Sequence, residues 1–370
     1  MSLASRTVTL LLISLLAATS FPDGTARAAG AEAINAGDYL VSTFKPGTDA
    51  AYGDAGSAAD SLLALASTGD AKYGEDIAGI LAFLQDQAEA YVKPDASGTS
   101  GAAKLALVAA VTSTDARDFG GVDLIANIKA GIGADGSFGA WPGPFASGLA
   151  MVALARNSEE VPDTMVNYLL TYAEPRANGA GGGFGCSTYP FKKDGDCPAS
   201  DPDSTGMAVL GLRAAGTAAS TAAANDALEW LTSTQQADGS WQNFSPVNST
   251  GLVGPLFPAG SEQATRATAY VISCQLDSGA LTTGTDSKAN LIATQQGLLA
   301  LTQKTYLTIG ARELSATSSP TPSGAATALP STPPSSEDLQ PNLPLLYGAG
   351  VLGLVAFCWI AYLGVRQGQS

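Results

Sequence analysis

Two hydrophobic patterns alternate six times between about residues 31 and 310 of the chain. The first pattern is apolar nearly all round, which is typical of helices that are buried on every side. Its copies are spaced by 42, 47, 58, 45 and 44 residues, and they begin at Ala58, Ser100, Ser147, Thr205, Thr250 and Thr294. Five of the six copies have an aliphatic residue five positions later. The regular spacing predicts six repeats of one structural unit.

Glycine follows directly after the aligned position in four of these copies, at Gly101, Gly148, Gly206 and Gly251. A glycine inside a helix costs about 1 kcal/mol relative to alanine. This cost must therefore be offset by close packing, which only a residue without a side chain permits. The glycines thus predict helices crowded around a common centre.

A more amphipathic pattern precedes each apolar one, with polar residues along one face. Its six copies are INAGDYLVSTF, DIAGILAFLQDQAEAYV, VDLIANIKAGI, DTMVNYLLTYA, ANDALEWLTSTQQ and EQATRATAYVISCQ. Alternation of half-exposed and buried helices predicts two concentric rings. The fold class is therefore all-α, an α6/α6 toroid with six inner and six outer helices, over residues 29–312.

Short turns between the helices also repeat, as ADGSFGAW, GGGFGC, QADGSW and a fainter QLDSGAL. Glycine tolerates the positive φ of a tight turn, and the aromatic residue that follows is able to pack back onto the helix end. We therefore interpret Trp241 as a structural residue between repeats; the alternative is a ring that stacks on a ligand.

These motifs resemble the α/α toroid of triterpene cyclases, protein prenyltransferase β subunits and the cobalamin-carrier domain of intrinsic factor and transcobalamin. QQADGSW is similar to the glutamine-tryptophan repeat of the cyclases, and DPDSTGMAVLGL and NSTGLVGPLF are similar to starts of inner helices in this superfamily. The resemblance covers most of residues 31–305. It implies a fold, since this scaffold carries enzymes and carriers alike.

The enzymatic activities of these relatives can be compared with the sequence. The zinc site of the prenyltransferases needs a histidine, and the chain has none. The cyclases protonate an alkene with an aspartate in an Asp-x-Asp-Asp-Thr-Ala stretch; here DPDSTG retains Asp201 and Asp203, while Ser204 replaces the last acid. Asp203 is thus the candidate acid, with Asp201 beside it. The alternative is that the segment Asp203-Ser204-Thr205 caps the fourth inner helix.

The toroid also suggests a binding site. If all inner helices run the same way, their N-termini meet at one rim, whose partial positive charge and N–H groups suit a polar or anionic ligand. The candidate rim residues are Asp60, Asp203, Ser204 and Thr205, and Asp60 is also a candidate cap. The resemblance to cobalamin carriers makes a corrinoid-like molecule one candidate ligand; no cofactor is otherwise indicated.

Cys186 and Cys197 bracket the longest insertion between repeats, and we expect them to form a disulfide in an exported protein. Metal binding by this pair would need further ligands that the sequence does not offer. The same loop contains Asp194 and Asp196, a weak candidate calcium site without the spacing of a calcium loop. A solvated acidic turn is the alternative. No other metal site is predicted.

The two ends of the chain differ from its middle. Residues 1–28 have the layout of a signal peptide, with a basic Arg6, an apolar run and small residues at the exit. Residues 313–342 are rich in Ser, Pro and Thr and predict a disordered stalk. Residues 343–365 contain no charged side chain and would extend roughly 34 Å as a helix, enough to cross a bilayer, with 366–370 as a cytoplasmic tail. We expect an exported, single-pass membrane protein with its toroid outside the cytoplasm.

The net charge of −15 argues against nucleic acid as a partner, because a phosphate backbone requires basic clusters. The function we infer from the sequence is non-catalytic binding of a small molecule or of another surface component by a surface-anchored toroid. The main alternative is a terpene-cyclase-like or glycan-cleaving enzyme that uses Asp203 as its acid. A third interpretation is a structural or adhesive module whose pocket is filled by its own side chains.

Overall fold

The computed structural model describes residues 23–43, 54–92, 99–175, 182–193, 195 and 197–310. The predicted stalk, membrane anchor and cytoplasmic tail lie outside these ranges, as does the predicted signal peptide up to residue 22. The first helix begins at Asp23, inside the segment predicted as a signal peptide. Among the described helices, none combines the length and the apolar character that a bilayer crossing requires.

The described residues form α-helices joined by turns and two short 3₁₀ helices, and no β-strand occurs among them. The α-helices are α1 (Asp23–Thr43), α2 (Ala55–Ser67), α3 (Gly74–Asp86), α4 (Ala88–Tyr91), α5 (Thr99–Thr112), α6 (Leu124–Ala130), α7 (Pro144–Arg156), α8 (Asp163–Leu170), α9 (Pro202–Ala215), α10 (Ala218–Thr234), α11 (Pro246–Val253), α12 (Glu262–Ser273) and α13 (Leu291–Thr302). The helix α4 continues α3 after a one-residue break at Gln87.

Six of these helices form an inner ring in which neighbours follow the order α2, α5, α7, α9, α11 and α13, and α13 packs against α2 again. Side-chain hydrogen bonds cross this junction at both ends of the two helices. The Gln295 amide donates to the Ser61 hydroxyl (2.9 Å), and the Thr302 hydroxyl donates to the Ser67 hydroxyl (3.0 Å). The ring is therefore closed, as the toroid prediction requires.

The outer layer is formed by six helices, each of which precedes an inner helix in the chain: α1, α3, α6, α8, α10 and α12. They bury one face only; in α12, for example, Ala264, Ala267 and Val271 are buried at helical spacing. The inner helices, by contrast, are buried along nearly their whole length, as in α7 and α9. The prediction of two concentric helical layers is confirmed.

The turns that follow the outer helices dock onto the next outer helix, and this requires glycine. At Gly239 the backbone has φ +97°, and an added Cβ would lie 2.3 Å from the carbonyl oxygen of Arg266 in α12. The corresponding turn after α12 contains Gly279, where a Cβ would lie 2.2 Å from the carbonyl oxygen of Asn35 in α1. The last repeat therefore docks onto the first through the same turn that joins its predecessors.

Trp241, after the turn at Gly239, is a structural residue as predicted. Its side chain is 1% exposed, and its indole N–H donates to the carbonyl oxygen of Leu231 at the end of α10 (2.7 Å). The ring also stacks on Phe257 with a centroid separation of 5.7 Å. The indole therefore satisfies a carbonyl in the last turn of the outer helix α10 and packs against the residues that follow the inner helix α11 of the same repeat.

Candidate functional site

The six inner helices begin on the same face of the toroid, which we call the N-terminal mouth. Residues in the first two turns of neighbouring helices contact one another: Gln295 of α13 bonds Ser57 of α2, and Asp60 of α2 bonds Lys104 of α5. The expectation that the inner helices run in one direction is thereby met. Polar side chains collect at this end, whereas the middle of the ring is aliphatic.

Three of the helix ends at the mouth, those of α2, α9 and α13, are capped by the chain's own side chains. The carboxylate of Asp54 accepts a hydrogen bond from the Ser57 N–H (2.7 Å), Asp201 accepts from the Ser204 N–H (2.8 Å), and Asn290 accepts from the Ala293 N–H (2.9 Å). Proline fills the first position of α7, α9 and α11 and has no N–H to donate. No side-chain cap is present at α7 or α11. Asp54 and Asp201 place two carboxyl groups at the mouth, which favours a neutral or hydrogen-bond-donating ligand over an anion.

Asp203 is the centre of a hydrogen-bonded cluster between α9 and α11. One carboxylate oxygen accepts from the side-chain amide of Asn243 (2.7 Å). The Ser249 hydroxyl on α11 lies close enough to this carboxyl group to lower its pKa. Asp203 and Asn243 are both partly exposed. The capping role that we considered for Asp203 is wrong: Pro202 occupies the first helical position, so Asp201 is the residue that caps α9.

The electrostatics of this cluster favour a protonated acid. Burial raises the pKa of Asp203 to about 7, and repulsion from Asp201 adds to the effect, while the hydrogen bonds from Ser249 and Asn243 oppose it. Burial also raises the pKa of Asp201, against the stabilising bonds from Ser204. One carboxyl group of the pair therefore carries a proton for a large part of the time near neutral pH.

Two further predicted rim residues, Ser204 and Thr205, are buried. The Thr205 hydroxyl accepts from the backbone N–H of Phe184 (2.9 Å) and donates to the carbonyl oxygen of Asp201 (2.6 Å). Thr250 and Thr294 accept in the same way from the N–H groups of Trp241 and Leu281. The three aligned threonines therefore fix the turns before α9, α11 and α13, and their hydroxyls are engaged within the protein.

Asp60 lies on the side of the inner ring opposite Asp203, in an ion pair with Lys104 (2.8 Å). The Lys104 side chain is 4% exposed and the Asp60 side chain 21%. Burial alone would lower the pKa of Lys104, but attraction to Asp60 and Asp54 outweighs it and raises the pKa, so that the lysine stays cationic. Asp54 is the cap of α2, and Asp60 instead neutralises a buried charge. Lys104 was not among the predicted site residues; its sequence signal is a single lysine within the apolar run SGAAKLALV.

Cys186 and Cys197 form a disulfide, with their Cα atoms 5.5 Å apart. It closes the loop that leads towards Asp201, whose backbone N–H donates to the carbonyl oxygen of Phe184 (2.9 Å). The calcium candidates Asp194 and Asp196 lie outside the described residues. Within the described ranges, no group of three or more potential metal-binding side chains comes together.

Comparison with known proteins supports the fold assignment. Residues 86–257 match the family described as the squalene-hopene cyclase C-terminal domain, a segment that includes Asp201 and Asp203. No curated protein sequence matches the chain.

Solved structures are similar over most of the toroid. A ligand-free variant of the type II terpene cyclase MstE from Scytonema shares 13% identity at a TM-score of 0.55, covering 76% of this chain and 99% of that one. An inactive variant of the α-1,6-mannanase GH76A of Salegentibacter sp. HEL1_6, in complex with α-1,6-mannotriose, shares 13% identity at a TM-score of 0.51, covering 74% and 98%. Haptocorrin in complex with Cbi gives 15% identity, a TM-score of 0.47, and coverage of 77% and 68%. The chain has the α/α toroid fold of the terpenoid cyclase-like superfamily.

Proposed function

We propose that the protein is an exported, surface-anchored toroid that binds a small polar molecule at its N-terminal mouth. The observation that carries the proposal is the cluster of Asp203, Asn243 and Ser249, in which a partly exposed carboxyl group is held between two inner helices. Removing a carboxyl group from water is costly, yet Asp203 is desolvated enough for its pKa to rise while its carboxyl group still reaches solvent, where a ligand could contact it. The disulfide Cys186–Cys197 suits an oxidising location outside the cytoplasm.

The chemistry of the mouth selects among ligands. Asp201 and Asp203 place acceptors beside the Asn243 amide, and three of the helix ends are capped internally. A ligand that brings hydroxyl or amine donors complements such a surface, and an anionic ligand is repelled by it. Proteins of this fold hold small molecules of different kinds: geranylgeranyl dihydroxybenzoate in the cyclase MstE, and α-1,6-mannotriose in the mannanase GH76A.

Native mass spectrometry of the full-length protein, isolated from its own source, tests the proposal. We expect a non-covalent adduct in the wild type that is lost in Asp203→Ala, because the variant removes the acceptor at the centre of the cluster. The exposed acid Asp163 on α8 provides a matched control, and Asp163→Ala should retain the adduct. A wild-type protein that carries no adduct, or an adduct that survives Asp203→Ala unchanged, would overturn the proposal.

A second candidate function, acid catalysis by Asp203, is favoured by its pKa of about 7, which is suited to proton donation near neutral pH. Ser204 stands where cyclases of this superfamily have another acid, and it lacks the carboxyl group that would tune Asp203. The variant Asp203→Asn separates the two functions because asparagine retains the shape of the protonated acid but donates no catalytic proton. A carrier would still show the adduct in Asp203→Asn, whereas an enzyme would accumulate unconverted substrate in place of the product found in the wild type.

A further inference from the structure

Three large aromatic side chains are exposed on the described part of the protein: Trp141 (66%), Phe244 (58%) and Tyr189 (44%). Other large hydrophobic residues in this part are buried or half-buried. Each of the three lies on a loop that leads into an inner helix, and the helices concerned, α7, α9 and α11, are consecutive in the ring. We call these three residues the aromatic rim, since the loops all end at the N-terminal mouth.

Two members of the aromatic rim occupy the same place in their repeats. In repeat three, Phe138 is fully buried and Trp141 follows three residues later; in repeat five, Trp241 is buried and Phe244 follows three residues later. The first aromatic of each pair is the structural residue of the turn. The second is not needed for packing, and exposing it to water is unfavourable unless it contacts something else.

The aromatic rim is continuous with the Asp203 cluster. The backbone N–H of Phe244 donates to the side-chain oxygen of Asn243 (3.0 Å), whose amide in turn donates to Asp203. The loop of Tyr189 is closed by the disulfide and precedes Asp201. Phe244 and Asp203 are therefore linked through a single side chain.

The Trp141 loop adjoins the disulfide loop. A Cβ added at Gly143 would lie 4.0 Å from the carbonyl oxygen of Cys186. In addition, the Tyr172 hydroxyl donates to the carbonyl oxygen of Pro142, and Tyr172 precedes the disulfide loop in the chain. The three loops thus form one surface, with neighbouring inner helices spaced on the order of 10 Å apart.

We propose that this surface binds a neutral glycan chain, with sugar rings stacked on Trp141, Phe244 and Tyr189 and hydroxyl groups bonded to Asp203 and Asn243. The inference rests on the proposed ligand-binding function of the mouth and names its ligand class. A pyranose ring has an apolar face of C–H groups and an edge of hydroxyl donors, and it therefore complements flat aromatic rings beside carboxylate and amide acceptors. The net charge of −15 disfavours an acidic glycan.

Two other occupants of an aromatic surface are less well matched. A quaternary ammonium ion prefers several rings that enclose a single point, whereas Trp141 and Phe244 precede α7 and α11, which are separated by α9 in the ring. A lipid surface is disfavoured by the net charge of −15, since most biological membranes carry negative charge. A chain of several sugar units spans the separated rings and uses the acceptors between them.

Isothermal titration calorimetry on the full-length protein tests the inference with three neutral hexasaccharides: α-1,6-linked mannohexaose, cellohexaose and xylohexaose. We expect at least one to bind, and we expect Trp141→Ala and Phe244→Ala each to weaken its affinity about tenfold, as for aromatic residues at the centre of an interface. Trp141→Phe is the matched control, because it retains a ring at the same place and should bind within about threefold of the wild type. Because both rings are exposed, the thermal midpoints of the variants should equal that of the wild type, which shows that lost binding is not unfolding.

Several outcomes would overturn the glycan inference. The first is that no hexasaccharide binds to the wild type. The second is that Trp141→Ala and Phe244→Ala bind the hexasaccharide as tightly as the wild type does. The third is that choline or phosphatidylcholine vesicles bind in a way that depends on the aromatic residues, while no hexasaccharide binds. If the adduct seen by native mass spectrometry depends on Asp203 but not on Trp141 or Phe244, the glycan inference fails while the proposed function stands. If neither the Asp203 variant nor the aromatic variants affect binding, the glycan inference and the proposed function both fail.

Discussion

At the scale of single residues, the chemistry of the mouth depends on contacts between distant positions. The sequence singled out Asp201 and Asp203 because of the DPDSTG motif, and both lie at the mouth. It did not indicate that Asn243, 40 residues away, would bond Asp203, or that Lys104 would pair with Asp60 across 44 residues. These contacts follow from which faces of neighbouring inner helices meet, and spacing along the chain contains no information on that.

The raised pKa of Asp203 predicts a stability that depends on pH. The pKa is about 7 in the folded protein, against about 3.9 for an aspartate in an unfolded chain, so the folded state binds the proton more tightly. The contribution to the free energy of unfolding is therefore complete below about pH 4 and is lost as the pH rises through about 7. The variant Asp203→Asn resembles the protonated acid and therefore keeps this contribution to the free energy of unfolding as the pH rises. Because Asp203 is partly exposed, we expect its stability relative to the wild type to increase by only about 2 kcal/mol between pH 5 and pH 8.

Urea denaturation of both proteins at about pH 5 and about pH 8 measures this difference. The exposed Asp163→Asn serves as control and should show the same stability relative to the wild type at both values. An unchanged difference for Asp203→Asn would mean that this carboxyl group ionises as it does in the unfolded chain, and the argument for a protonated acid at the mouth would then fail.

At the scale of helices, the sequence predicted the architecture well because burial on all sides leaves a clear pattern. The six apolar segments are the inner helices, and the six amphipathic ones belong to the outer layer. The exact ends of the helices were harder to predict from the sequence. The cap of α9 is Asp201 rather than the Asp203 segment, since proline at 202 fits the first turn, and α11 is short because Pro255 prevents its continuation.

Close approach of inner helices explains the repeated glycines and gives a prediction. A Cβ added at Gly148 of α7 would lie 2.3 Å from the carbonyl oxygen of Met207 in α9, and backbone cannot move aside as a side chain can. Gly148→Ala should therefore lower the free energy of unfolding by about 3 kcal/mol. Gly79 lies on the exposed face of α3 with open space around it, so Gly79→Ala should raise the free energy of unfolding by up to about 1 kcal/mol through helix propensity. Chemical denaturation of the two variants distinguishes packing from propensity, and equal effects would contradict the close approach.

At the scale of the whole molecule, closure of the ring separates this toroid from an open array of helical repeats. In an open array each repeat contacts only its neighbours, and the ends unfold first. Here the turn at Gly279 docks onto α1, and the Gln275 amide donates to the carbonyl oxygen of Glu32 (2.9 Å). The closure also brings the helix starts of all six repeats to one mouth, and the proposed binding surface is the part of that mouth formed at α7, α9 and α11.

Gln295 is the side chain through which this closure can be tested. Its amide donates to the carbonyl oxygen of Ser57 (3.0 Å) and to the hydroxyl of Ser61 (2.9 Å), and the residue is 3% exposed. Gln295→Ala removes the donor to the buried Ser61 hydroxyl and a second hydrogen bond to the Ser57 carbonyl, which should cost about 2 kcal/mol of stability. In hydrogen exchange, the amides of α2 and α13 should lose protection together, whereas Gln296→Ala, a change at the neighbouring half-buried position, should leave both helices protected. If α13 alone lost protection, the seam would behave as the free end of an open array. Concerted loss in both helices is expected only when the first and last repeats stabilise each other.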